Sequence, residues 1–201
     1  MAKFTEAYNL TNNFEGGYVN DKDDRGGETY SGVARKRWPD WEGWEIIDNL
    51  KSKYNLNNKD ARGKFIAALK SNEELHAHIE VFYKLMFWDK LYLDKCIDQD
   101  VANELYDTAV NQGVRTATKY LQRSLNILNR DQRDYKDLKV DGLMGPNTTH
   151  TLNKAIALGF RWKRGLLKCL NGEQYIRYRF LALFSSKQEK YMHGWLRRVG
   201  F

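Results

Sequence analysis

Glu15-Gly16-Gly17-Tyr18-Val19-Asn20-Asp21-Lys22-Asp23-Asp24-Arg25-Gly26-Gly27-Glu28-Thr29-Tyr30-Ser31-Gly32 is the stretch of this 201-residue chain from which the rest is best read. Upstream of it, Phe4, Tyr8, Leu10 and Phe14 fall near one side of a helix over 4–14. The paired glycines then stop that helix, because glycine takes the left-handed backbone past a helix C-terminus without steric cost. Glu15 is thereby placed at the helix exit. Over 18–33 the density of glycine and aspartate predicts loop and short strand, a small hairpin wing that walls one side of a cleft.

The residue types in this stretch suit the splitting of a glycosidic bond. That reaction needs one carboxyl kept protonated for the leaving oxygen, and a second, ionised group that stabilises the oxocarbenium-like centre or activates water. Glu15 is the candidate acid. Gly16 and Gly17 let a sugar ring approach the backbone, while Phe14 and Tyr18 lower the local polarity, which raises a carboxyl pKa as such an acid requires. The competing reading is a surface glutamate beside a turn. For the second group Asp21, Asp23 and Asp24 crowd one turn; Asp24 stands first, Asp21 is held in reserve, and Asp23 reads as a turn-capping side chain.

Outward from the wing, periodicity is mostly helical. Trp38, Trp41 and Trp44 recur every third residue around Pro39, predicting a helix that starts there and reaches Tyr54, with the tryptophans in the core or, alternatively, forming a sugar platform. Apolar stripes predict helices over 72–88, over 98–111 with Val101, Leu105 and Val110 inward, and over 113–128. The polar stretch 129–139 reads as a linker or exposed loop. Asp141-Gly142 predicts a turn and Gly145-Pro146 the start of a helix running through 156. A long helix over 166–184 is expected to pack back on the N-terminal part.

Composition narrows the classes. With 42% hydrophobic residues, 13% aromatic and only two prolines, the chain can bury one substantial core or two small ones and favours helices over a loop-rich sandwich. No run approaches the roughly 20 apolar residues of a membrane span, and the mean hydropathy is -0.72. A net charge of +7 favours polyanionic partners, nucleic acid or wall polymers alike; no recognition helix favours DNA. Cys96 and Cys169 read as two reduced thiols. His76, His78, His150 and His193 lack partners at ligand spacing, so no metal or cofactor is expected. Phosphate-loop, dinucleotide and nucleophile-elbow motifs are absent.

The wing segment also resembles a known pattern, as do Tyr106-Asp107-Thr108-Ala109-Val110-Asn111-Gln112-Gly113, Leu121-Gln122-Arg123-Ser124-Leu125-Asn126, Val140-Asp141-Gly142-Leu143-Met144-Gly145-Pro146-Asn147-Thr148 and Gly194-Trp195-Leu196-Arg197-Arg198. In order, these motifs are similar to the glycoside hydrolase family 108 N-acetylmuramidases with a peptidoglycan-binding type 3 domain. The resemblance implies a mainly α, lysozyme-like fold with a small β-wing, residues 1–97 forming the catalytic region and 98–201 the peptidoglycan-binding region, packed into one shared core. It implies hydrolysis of the β-1,4 bond between N-acetylmuramic acid and N-acetylglucosamine, with Glu15 as acid. Phage-type lysozymes carry an Asp nine positions after the Glu and a Thr six beyond that; Asp24 fits, and Thr29 fits with a one-residue shift, an arrangement suited to an inverting enzyme.

Tyr18, Asp21, Tyr106, Asp107, Asn111 and Gln112 are implied as substrate ligands, whereas Trp195 and Arg197 read as structural. Peptidoglycan is the implied partner of a monomer. A lytic transglycosylase, or a non-catalytic wall-binding or secretion-associated adaptor, are the alternatives. Glu6 and Asn9 interrupt the apolar core of about 7–15 residues that a secretory signal needs, so the expectation is cytoplasmic synthesis without a Sec signal. Action on the wall then follows release or non-classical export, as for an endolysin.

Overall fold

In the computed structural model, which describes residues 1–11, 17–20 and 27–200, the wing is a three-stranded antiparallel sheet. Strands β1 (Tyr18–Asn20), β2 (Glu28–Tyr30) and β3 (Val33–Ala34) pair in sequence order, with Tyr18 opposite Tyr30 and Val19 opposite Thr29. Alternation in a strand puts Tyr18, Glu28 and Tyr30 on one face and Val19 and Thr29 on the other. The first face is buried: Tyr30 donates its hydroxyl to the carbonyl of Leu69, and Tyr18 packs edge-on against Phe65. The β2–β3 turn passes through Gly32 at φ +81, where a Cβ would collide with the Tyr83 hydroxyl.

The wing belongs to a compact unit, Asn12–Tyr83, that also holds α2 (Gly43–Lys51), α3 (Lys59–Lys70) and α4 (Glu73–Tyr83). The helix expected from the Trp38 region starts only at Gly43. Residue 38 precedes a proline, which disfavours helical backbone, so 35–42 run through turns and the Trp44 indole donates to the Trp38 carbonyl at 2.7 Å. The tryptophans pack together, Trp41 edge-on to Trp44 and Trp38 edge-on to Phe82. Helix α3 carries no clear periodic signal. Its determinants are Asn58, whose side chain caps the first turn at Asp60 and Ala61, and the fully buried Phe65 and Leu69. Burying such a pair contributes about 1.5–3 kcal/mol each.

The second unit joins Met1–Thr11 to Lys84–Phe201. It contains α1 (Phe4–Thr11), a π-type turn at Lys84–Trp88, 3-10 turns at Asp89–Leu91 and Leu93–Lys95, and helices α5 (Gln99–Gln112), α6 (Val114–Leu128), α7 (Pro146–Ala157) and α8 (Phe160–Phe184). Short helices α9 (Ser186–Glu189) and α10 (Met192–Leu196) close it. Helix α1 packs on α5, and α5, α6 and α8 pack on one another around Leu105, Leu121, Leu125, Leu166 and Leu170. Phe4, Trp88 and Tyr106 meet edge-to-face with centroids 5.7–6.0 Å apart.

The polar stretch 129–139 is knitted onto α6 rather than standing free. Asn126 exchanges two hydrogen bonds with Leu138, the buried Tyr135 donates to the Leu125 carbonyl, and Asn129 binds Asp137. The Asp141-Gly142 turn docks on the same helix through buried Gln122, which donates to Asp141 and accepts from the Gly142 amide. Cys96 and Cys169 are free thiols. Among the described residues no helix is long and apolar enough to cross a membrane. The whole is mainly α with a small β-wing, as expected.

Candidate active-site region

Glu15, Asp21 and Asp24 lie outside the described residues. Around them, the wing is held by one carboxylate. Glu28 accepts the Tyr18 hydroxyl at 2.6 Å and the Lys51 ammonium at 2.5 Å on Oε1, and its Oε2 lies 2.8 Å from Arg35 Nε. Arg35 also grips Asp48 with both terminal nitrogens, and its guanidinium stacks over Trp44. Asp48 is held below the usual carboxylate range by its hydrogen bond to Arg35. The Tyr18 phenol is pushed up, first by burial and then by its bond to Glu28. Residues from β1, the turn after β3 and α2 thus converge on Glu28 of β2, whose side chain is 11% exposed. With its oxygens so engaged, Glu28 is suited to fixing the wing rather than to delivering a proton.

Thr29 sits on the opposite face of β2, partly exposed, with its hydroxyl 3.4 Å from the Gly27 carbonyl. That bond is long and local. Tyr18 turns the other way, into the core.

The motif residues of α5 lie in the second unit. Tyr106 is fully buried in the aromatic trio with Phe4 and Trp88. Asp107 takes Arg198 at 2.6 Å on Oδ1, and its Oδ2 is buried. Burial raises its pKa, opposed by the Arg198 charge. Gln112 accepts the Tyr120 hydroxyl at 2.8 Å, and exposed Asn111 donates back to the Asp107 carbonyl. Tyr106 is thus engaged in ring packing, Asp107 in an ion pair and Gln112 in a hydrogen bond, and of this group only Asn111 is exposed.

A polar seam between α5 and α8 accompanies them. Gln174 donates to Glu104 at 2.5 Å and accepts from Tyr178, while Asn171 receives the Gly200 amide. Tyr178 stacks on Trp195 with centroids 5.0 Å apart. The closing Gly194-Trp195-Leu196-Arg197-Arg198 motif is therefore a clasp on α5 and α8. Sequence reading assigned no role to Glu28, Lys51, Glu104 or Gln174. The one available signal was alternation in β2, which places Glu28 on the face of Tyr30.

Burial pushes Glu104 up to about 7 from an ordinary 4.5, with the neighbouring Asp107 charge adding to the rise. Between those values the folded chain holds a proton that the unfolded chain has lost, so the contribution of Glu104 to stability is fully present below pH 4.5 and is lost as pH rises towards 7. Glu104→Gln is expected to flatten that slope and to raise stability at pH 8 by on the order of 2 kcal/mol, after allowing for screening of a partly exposed carboxyl. Denaturant midpoints at pH 5 and pH 8 for both proteins check it; an unchanged slope in the variant refutes it.

The model of the glycosyl hydrolase 108 family matches residues 8–113, and that of a predicted peptidoglycan domain matches residues 116–200. No curated protein matches the chain. Among solved structures, SagA of Brucella abortus aligns with a TM-score of 0.53 and 20% identity, covering 98% of this chain and 96% of that one. At that identity the likeness concerns the fold.

Proposed function

The chain belongs to the glycosyl hydrolase 108 family and is a peptidoglycan hydrolase with a peptidoglycan-binding region, and on that premise we propose that it cuts the β-1,4 bond between N-acetylmuramic acid and N-acetylglucosamine with Glu15 as general acid. The observation that carries this reading is the sequence Glu15-Gly16-Gly17-Tyr18 leading into a wing whose first strand is pinned through Tyr18 to the Glu28 network. A general acid must meet the leaving oxygen within hydrogen-bond reach, and a wall fixed by four side chains supplies a rigid support for one. Asp24 is the ionised partner and Thr29 the water-holding hydroxyl, giving inversion at the anomeric carbon. Tyr18 steadies the first strand through Glu28, with Asp21 as a contact for hydroxyl or N-acetyl groups. Tyr106, Asp107 and Gln112 act by fixing α5.

The proton moves from Glu15 to the glycosidic oxygen as the C–O bond breaks. Water held by Thr29 and deprotonated by Asp24 adds at the anomeric carbon, leaving a reducing sugar. Digestion of purified sacculi followed by chromatography of the fragments tests this. Reducing muramic ends are expected. Anhydro-muramic ends would replace the reading by a lytic transglycosylase, and binding without fragments by an adaptor.

A further inference from the structure

The C-terminal end of α6 and the N-terminal end of α8 enclose a cleft of about 550 Å³ that the chemistry above does not use. Its lining is of one sign. Arg161, Arg164 and Lys168 project from successive turns of α8, and Arg130 reaches in from the loop after α6, with Phe160, Trp162 and Ile127 supplying apolar surface. Among the described residues that line it there is no acid, and Asp134 stands beside them, paired with Arg130. Gly165 permits the close crossing that forms the floor, since a Cβ there would stand 3.3 Å from Leu128.

Three of the four charges are left open. The nearby Lys163 is neutralised by Asp98 and Asp100, each at 2.7 Å, and Arg130 by Asp134. Among the described residues, Arg161, Arg164 and Lys168 have no salt bridge, and all three are exposed. Arg161 sits in the first turn of a helix that has no acid there, where the helix dipole disfavours a cation. Arg130 begins a run of three non-glycine residues at positive φ, Arg130, Asp131 and Gln132, a costly backbone that carries its guanidinium over the Trp162 ring at 5.3 Å. Two local preferences are thus overridden to keep cations around one concavity, a pattern expected where a site is being served.

We propose that this cleft binds the stem peptides of peptidoglycan through their carboxylates, deepening the reading of peptidoglycan as the partner while standing apart from the role given to Glu15. Helix rise places Arg161, Arg164 and Lys168 about 4.5 and 6 Å apart along α8, a row of cations long enough to meet more than one carboxylate of an extended peptide. The apolar rim, with Phe160 75% and Ile127 73% exposed, takes the peptide's alanine methyls. A concave, cation-lined groove suits a strand laid in it better than a bilayer surface laid over it.

The test is co-sedimentation of the full chain with sacculi at 4 °C, comparing wild type, the triple variant Arg161→Glu/Arg164→Glu/Lys168→Glu and a milder Arg161→Gln/Lys168→Gln. Sacculi whose carboxylates have been amidated provide an arm that needs no variant. The charge reversal and the amidation are each expected to weaken binding at least about tenfold, the milder pair less, and wild-type binding to weaken with salt. Release of reducing ends from glycan chains stripped of peptides is expected to match wild type in every variant. Variant binding equal to wild type, or undiminished binding to amidated sacculi, overturns the proposal. So does tighter wild-type binding to phosphatidylglycerol vesicles than to sacculi, which assigns the cleft to a membrane. Should wild type bind sacculi through the cleft yet release no fragments from any glycan, the hydrolase reading fails and this one stands.

Discussion

Glu15→Gln is expected to lower sacculus cleavage by about 10²–10⁴-fold, the range a positioned general acid contributes. Glutamine keeps the size and hydrogen-bonding outline of the side chain but has no proton to give, so the leaving sugar must depart as an alkoxide or take its proton from solvent. The loss should appear in kcat, with binding to sacculi retained, because the proton transfer is felt in the transition state and not in the bound ground state. Release of reducing ends, measured beside co-sedimentation, gives both quantities from one preparation. Turnover retained by the variant would remove Glu15 from the role. Asp24→Asn and Thr29→Ala extend the series. Deep losses in both fit direct attack by water, whereas dispensability of both with loss at Glu15 fits transglycosylation, in which the sugar's own hydroxyl is the nucleophile.

Arg198→Ala is expected to destabilise the unit that contains α5 by about 2–4 kcal/mol. The pair is enclosed, with side chains 14% and 17% exposed, so removing the guanidinium strands the Asp107 carboxylate in a site whose burial already raises its pKa. The fall in melting temperature would be about 5–15 °C for a chain of this size. The second substitution Asp107→Asn should recover part of the loss, since it removes the stranded charge. A sign follows for pH. With Arg198 gone, Asp107 holds its proton to higher pH in the folded than in the unfolded chain, so the variant's deficit grows as pH rises above the ordinary aspartate range and shrinks in acid. Thermal melts of wild type, both single variants and the double at pH 5 and pH 8 check this; additive losses at Asp107 and Arg198 would show the two groups to be uncoupled.

The elements most legible in the sequence were those with a short repeat or a strong punctuator. Helix α5 was read over 98–111 and found at Gln99–Gln112 with Asp98 as its cap, because its inward positions recur with helical spacing and a capping residue precedes them. Helix α7 began where Gly145-Pro146 said it would. The start of α2 was misread, since spacing of tryptophans by three mimicked a helix while Pro39 kept the backbone in turns. Helix α3 escaped notice because its apolar residues Phe65, Ile66, Ala67, Ala68 and Leu69 run together instead of repeating.

What the sequence determined alone was the mainly helical class, the course of helices such as α5 and α7, the wing, and the family to which the motifs point. The fate of the polar residues was decided only by tertiary structure. Nothing local says that Asp107 is joined to an arginine 91 residues later, that Tyr18 turns inward to Glu28, that Glu104 is enclosed against α8, or that Arg161, Arg164 and Lys168 share a cleft with Arg130. The physical reason is range. A helix or strand is selected by contacts that repeat every few residues along the chain, whereas the cost of burying a charge, and the partner that offsets it, depend on which faces meet once the helices have packed.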